Sequence, residues 1–233
     1  MRGKLIVIEG TDCSGKETQS NRLYEAMCNE NIKVAKMSFP QYDTPTGKIV
    51  GGPYLGKSYI CEGWFPEGAT NVDPKVAALF YAADRKYNIG KINELLDNGT
   101  NVILDRYSYS NMAHQGGKIE DKDKRFEMYD WLDKLEFDLL ELPHADIKIF
   151  LHMPLEFSIM LGKNREEKLD QHEADPNHLA NAERAFLEIA SRYGFKTIEC
   201  ADKNVRSRDD ISKDVISYVM NELTLDEKVK NRA

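Results

Sequence analysis

The densest chemical signal in the sequence is Gly10-Thr11-Asp12-Cys13-Ser14-Gly15-Lys16-Glu17-Thr18. Two glycines with four residues between them, followed by lysine, let a backbone turn wrap closely around an anion. Loop N–H groups and a following helix N-terminus then point at phosphate oxygens. Lys16 adds a charge that reaches the outer phosphates. The general pattern has Ser or Thr after the lysine, and here that position is Glu17. A carboxylate there must face solvent, which leaves Thr18 to supply a hydroxyl. Cys13 reads as a small loop residue.

Other residues could work on the same ligand. Asp105-Arg106 follows the apolar run Val102-Ile103-Leu104. An Asp at the carboxyl end of a buried strand, opposite a phosphate loop, is placed like a metal-side carboxylate, and Arg106 offers a two-pronged fork for a phosphate. Asn111 carries a donor and an acceptor that could read a base edge. Phe80 alone reads as core, and it gains weight from Arg85 nearby. Phe39-Pro40-Gln41-Tyr42 closes another strand. Lys163, Arg165 and Lys168, with Asp170 and Glu173, form a charged segment that on its own reads as a solvated face.

The elements that must position these residues alternate. Strands are expected at about 4–9, 33–39, 101–105, 147–151 and 195–200. Helices are expected at about 16–30, 73–98, 107–118, 123–141 and 207–224, with two more on either side of the charged segment. Leu23, Tyr24 and Met27 should share one side of the first helix. Asp73-Pro74 starts the long helix and Asn98-Gly99 stops it. Residues 41–73 hold most of the Pro and Gly and read as a short helix plus loop. This alternation predicts an α/β fold in which a five-stranded parallel sheet is covered by helices on both faces. Ligands in such folds sit at the carboxyl ends of the strands. The expected organisation is one domain over 1–224, with a lid at about 161–176 and a frayed tail at 225–233.

The 233 residues suffice for a full core, and the net charge of −7 argues against nucleic acid or a membrane surface as the main partner. No apolar run reaches membrane-helix length and no signal peptide is apparent. The four cysteines are scattered without metal-ligand spacing, so free thiols in the cytoplasm are expected.

Taken together, these stretches resemble the thymidylate kinases. Gly10-x-Asp12-x-x-Gly15-Lys16-x-Thr18 is similar to the family's phosphate loop, where the residue after lysine varies and threonine follows. Asp105-Arg106-Tyr107-x-x-Ser110-Asn111-x-Ala113 is similar to its signature. Phe39-Pro40, Leu79-Phe80 with Asp84-Arg85, and Leu142-Pro143-x-Ala145-Asp146 also match, so the resemblance runs from about residue 4 to 200.

The resemblance implies transfer of the ATP γ-phosphoryl group to dTMP with Mg²⁺, in a nucleoside monophosphate kinase fold that forms a homodimer. It implies ATP binding by residues 10–18 and substrate contacts from Asp12, Phe39, Tyr42, Phe80, Arg85, Arg106, Ser110, Asn111 and His114. Asp12 would meet the sugar 3′-hydroxyl and the phosphate side. Phe80 would stack on thymine, Arg85 would contact the base or monophosphate, and Asn111 would hydrogen-bond the base. Tyr42 would lie close to the substrate phosphate, and Arg106 would contact the phosphates. Thr18, Asp105 and Glu173 are the candidates on the metal side, with Glu173 reaching the site from behind the lid. The family usually carries Tyr or Phe at the position of His114, beside the sugar. Because no Arg lies between Gly10 and Lys16, the lid should supply the catalytic cation, with Arg165 first choice and Lys163 or Lys168 next. The rival readings are another nucleoside monophosphate or deoxynucleoside kinase, or a nucleotide-dependent regulator. The Asn-Lys-x-Asp motif of a GTP switch does not occur.

Overall fold

The computed structural model describes residues 2–162 and 176–230. Five parallel strands form one sheet: β1 (Leu5–Gly10), β2 (Val34–Ser38), β3 (Asn101–Asp105), β4 (Ile147–His152) and β5 (Lys196–Glu199), in the order β2-β3-β1-β4-β5. Parallel neighbours need crossovers, and helices supply them. These are α1 (Lys16–Asn29), α2 (Pro45–Ile49), α3 (Pro74–Asp97), α4 (Ser108–Gly117), α5 (Lys122–Asp133), α6 (Leu155–Gly162), α7 (Pro176–Arg192) and α8 (Arg208–Lys230).

Both faces of the sheet are buried, and the strand sequences show why. In β1, Leu5 and Val7 point to one side and Ile6 and Ile8 to the other. The first pair packs under α3, α4, α5 and α7 through residues such as Ile92, Met112, Tyr129 and Phe186. The second pair packs under α1 and α8 through Leu23, Met27, Ile211 and Val215. A strand buried on both faces reads as a continuous apolar run, which is how Leu5–Ile8 appears in the sequence. Asp73 caps α3 as expected, accepting from the N–H groups of Lys75 and Val76 at 2.9 and 3.1 Å.

Three details depart from expectation. Tyr24 is exposed while Leu23 and Met27 are fully buried, because one residue's rotation on a helix turns Tyr24 off their face. The helix expected at 123–141 ends as α5 at Asp133 and continues as a π-helical turn, Lys134–Leu139. The last helix continues beyond 224, to Lys230.

Strand register sets the cleft. Ile8 lies beside Asp105, and Gly10 beside Leu151. The loop after β1, the turn after β3 and the end of β4 therefore emerge side by side at the carboxyl edge. Residues 41–73 wrap over the same edge as α2, a π-helical turn (Val50–Tyr54) and a 3₁₀ turn (Ala69–Asn71), built on a small core of Val50, Tyr54, Ala69, Val72 and Ala77.

Candidate active site

The loop between β1 and α1 has the shape its glycines predict. Gly15 has φ 79°, a left-handed backbone that favours glycine. A Cβ on Gly10 would lie 2.7 Å from the Leu151 carbonyl oxygen, so only glycine lets the loop cross β4 this closely. Thr11 fastens the loop to β4, its hydroxyl donating to the Met153 carbonyl at 2.9 Å and accepting from the Met153 N–H at 2.8 Å. Ser158 of α6 donates to the Asp12 carbonyl at 2.8 Å. Ser14 is buried, Cys13 has φ 60°, Glu17 is exposed and Thr18 is half-buried in the first turn of α1. The solvent-facing Glu17 is what the sequence required.

Lys16 curls back over its own loop, with Nζ donating to the carbonyls of Gly10 (2.8 Å) and Thr11 (2.9 Å). Burial and the neighbouring Arg106 push its ammonium down to about 8, against the pull of Asp12, Asp105 and Glu9. Asp12 shows the opposite balance. Burial disfavours its charge, but Lys16 and Arg106 outweigh that and hold it down to about 2. Arg106 sits between them at φ 68°, with Nη2 3.4 Å from the Asp12 carboxylate and Nη1 3.5 Å from His114 Nε2. Burial works against its charge, yet Asp12, Asp105 and Glu9 keep it firmly protonated. Asp105 is buried at the end of β3, and its carbonyl accepts from the Phe39 N–H at 3.1 Å.

Glu9 is a buried carboxylate beside the site that the motifs do not reveal. It is 1 % exposed and accepts from the N–H groups of Tyr107 (2.8 Å) and Ser110 (2.9 Å) and from the Ser110 hydroxyl (2.5 Å). It thus serves as the cap that α4 lacks locally, with its negative charge at the positive end of the helix. Burial pushes its carboxyl up despite these bonds. An acidic residue closing the apolar run Ile6-Val7-Ile8 was the available signal.

Beside Asp12 and Arg106 opens a cleft with about 710 Å³ of empty space, part of it open to solvent. Phe39, Pro40, Tyr42 and Leu55 line one side, with Tyr81, Arg85, Ser110, Asn111, His114 and Gln115 opposite. One expected residue is absent from this wall. Phe80 packs against the small core at Tyr54 and Phe65, at ring separations of 5.7 and 5.9 Å, and its neighbour Tyr81, which also touches Tyr54, is the α3 aromatic that lines the cleft. Helical geometry is the cause, since Tyr81 is one turn before Arg85 and shares its face.

Arg85 and Asn111 meet at a second unforeseen carboxylate, Glu136, which is 0 % exposed. Arg85 donates to it through Nε (2.5 Å) and Nη2 (2.6 Å), Ser108 through its hydroxyl (2.6 Å) and Asn111 through Nδ2 (3.0 Å). Asn111 Nδ2 also donates to the Ala78 carbonyl at 3.1 Å, while its Oδ1 is buried with no hydrogen-bond partner among the described residues. Glu136 continues an apolar stripe of spacing four, Met128 and Leu132, and a carboxylate on such a stripe is its signal in the sequence. Asp84, one residue before Arg85, holds the opposite wall. It accepts from the Gln41 N–H (2.9 Å), the Thr46 hydroxyl (2.8 Å) and the Asn88 amide (2.9 Å).

The family model for thymidylate kinase matches residues 8–211, nearly the whole chain. The chain belongs to the thymidylate kinase family. The human thymidylate kinase is 30 % identical over 169 residues, 72 % of this chain and 70 % of the relative. The Dictyostelium discoideum thymidylate kinase is 33 % identical over 173 residues, covering 72 % and 68 %. The Schizosaccharomyces pombe thymidylate kinase is 28 % identical over 221 residues, covering 94 % and 93 %. A solved thymidylate kinase from Candida albicans superposes with a TM-score of 0.70 at 24 % identity, over 94 % of this chain and 92 % of that one, and it shares the fold. As a thymidylate kinase family member the protein is a phosphotransferase. Lys163, Arg165, Lys168, Asp170 and Glu173, the lid residues expected from the sequence, lie outside the described residues, between α6 and α7.

Proposed function

We propose that this protein transfers the γ-phosphoryl group of ATP to dTMP, giving dTDP and ADP. One observation carries the reading: a single cleft joins a phosphate loop, a cation beside it (Arg106) and a base-sized pocket ending in Arg85 and Asn111. A monophosphate seated with its base toward Asn111 would direct its phosphate to Arg106 and the loop.

The loop N–H groups and Lys16 would hold the ATP β- and γ-phosphates. A dTMP phosphate oxygen attacks the γ-phosphorus, and the bond to the β,γ-bridging oxygen breaks as ADP leaves. The reaction needs positioning and charge compensation more than covalent help, which fits a site of cations and backbone donors. Tyr81, which lines the cleft, would stack on the base. Phe39, Pro40 and Leu55 offer apolar contact for the thymine methyl, and His114 and Asp12 lie toward the sugar and phosphate.

Mg²⁺ fits the donors present. Among the described residues no cluster of three His, Cys, Asp or Glu could hold a metal. Magnesium is commonly held by one or two protein oxygens plus substrate phosphates, and Thr18 and Asp105 provide such hard donors. When bound with ATP it would neutralise charge on the transferring group. Arg165 remains our choice for the lid cation, and Glu173 for a further carboxylate.

We also read the protein as a cytoplasmic homodimer that acts on a small molecule rather than nucleic acid. Val76, Leu79 and Tyr87 are 42, 49 and 60 % exposed and, with Ala83, form one apolar stripe on α3, a surface suited to a second copy. No disulfide joins the cysteines among the described residues, which fits a reducing compartment. Among those residues no helix is long and apolar enough to cross a membrane.

The test is ADP release with a panel of nucleoside monophosphates. The reading expects dTMP to give the highest kcat/KM. A panel in which dAMP or dGMP leads would overturn it.

A further inference from the structure

Glu136 touches neither phosphate loop nor cleft, yet both residues at the end of the base pocket depend on it. We propose that Glu136 is the positioning residue that makes the pocket select a thymine-type edge over cytosine. The proposal rests on the dTMP reading above.

The argument begins with the Asn111 amide. Both hydrogens of Nδ2 are donated, one to the Ala78 carbonyl and one to Glu136 Oε1. Rotating the amide by half a turn would set Oδ1 against these two acceptors, which repel it. Only one orientation is therefore satisfied, and it leaves Oδ1, an acceptor, as the atom that can meet a ligand. Arg85 is fixed by the same carboxylate. Its Nε and Nη2 pair with Glu136 in a two-pronged contact, and Nη1 remains to donate toward the cleft that Arg85 lines. The pocket thus presents an acceptor next to a donor.

Thymine and uracil match that pair with a ring N3–H and a keto oxygen. Cytosine opposes it at both positions, with an unprotonated N3 and an amino group. A site built to pair with a donor and an acceptor rejects the reversed edge strongly, because buried groups are left unpaired. Glu136 sets both elements of the code, while Ser108, donating to Oε2, holds the carboxylate in place. A purely structural ion pair would stabilise the fold and leave base preference alone.

The experiment compares kcat/KM for dTMP, dUMP and dCMP in the parent and in Glu136→Gln. The glutamine brings an N–H₂ where two or more donors need an acceptor, so Asn111 is freed to turn. The expected result is a fall in the dTMP/dCMP ratio of about tenfold or more, the scale of one mismatched hydrogen bond, carried mainly by KM. The dTMP/dUMP ratio, which depends on the methyl group alone, should stay within about threefold of the parent, the scale of a small apolar contact. Because Glu136→Gln leaves a buried arginine without its counter-charge and can fail to fold, Ser108→Ala is the second variant. It keeps the ion pair and should lower dTMP/dCMP in the same direction by about threefold, as for a weakened support. A parental dTMP/dCMP ratio in a folded Glu136→Gln, or both ratios falling together, overturns the proposal. So does a parental ratio in Ser108→Ala if the first variant is insoluble. A parent enzyme that does not phosphorylate dTMP would instead refute the substrate reading on which the proposal stands.

Discussion

At the scale of single residues, charge and helical phase decide what each side chain can do. The Lys16 ammonium is pushed down to about 8 because burial and Arg106 disfavour its charge. It carries its proton below that pH and loses it above. The kcat/KM for ATP, which reports the free enzyme, should therefore hold to about pH 7.5 and fall above about 8. The kcat should hold to higher pH, because bound phosphates favour the ammonium. A pH profile of kcat/KM that stays flat through pH 9.5 would contradict this. Tyr81 and Phe80 make a second contrast. Tyr81→Ala should raise KM for dTMP by roughly tenfold or more, on the scale of a lost base-stacking contact. Phe80→Ala should cost about 3 kcal/mol of stability through its packing on the small core, which Tyr81 shares, but should leave KM for dTMP near the parent value. Steady-state kinetics and denaturant unfolding on both variants separate the two roles. The phosphate loop was legible residue by residue because its geometry is local. Which α3 aromatic lines the cleft was not, because Leu79-Phe80-Tyr81 offers two neighbouring rings and only the turn to Arg85 chooses between them. Glu9 and Glu136 were hidden for a related reason, since their partners are about 100 and 25 or more residues away in sequence.

At the scale of elements, α3 organises the site. One helix carries Tyr81 and Arg85 for the cleft and Asp84 for the opposite wall. Asp84→Ala would leave the Gln41 N–H and the Thr46 hydroxyl without their acceptor. A loss of about 2–4 kcal/mol is expected, with a severalfold rise in KM for dTMP, because the segment holding Phe39 to Tyr42 is released. Urea unfolding and dTMP saturation on that variant check both parts, and an unchanged KM would show that the wall is held by other contacts. The strands and the long helices were readable from apolar periodicity and caps. Residues 41–73 were readable only as a short helix plus loop, because the rest of their shape comes from close approaches: a Cβ on Gly51 would lie 2.4 Å from Ile60 Cδ1, and one on Gly52 2.6 Å from Cys61 Sγ. Such contacts leave glycine in the sequence but give no period to read. The break of the 123–141 helix into a π-helical turn brings Glu136 to Arg85, a tertiary demand that local propensity does not reveal.

At the scale of the whole molecule, the acidic chain sets Arg85 and Arg106 in one cleft beside the phosphate loop and leaves an apolar stripe on α3 outside it. The double variant Leu79→Glu, Tyr87→Glu should convert a dimer to a monomer in size-exclusion chromatography with light scattering, while a parent that already runs as a monomer would remove that role from the stripe. The sheet order and the register of β1 between β3 and β4 place phosphate loop, Arg106 and base pocket at one edge, so the central claim concerns a single transfer between two bound nucleotides. The most direct measurement is to incubate the protein with γ-labelled ATP and unlabelled dTMP and to locate the label. The account predicts label in the β-phosphate of dTDP, formed in step with ADP and dependent on dTMP. Label released only as inorganic phosphate, or formed at the same rate without dTMP, would contradict it.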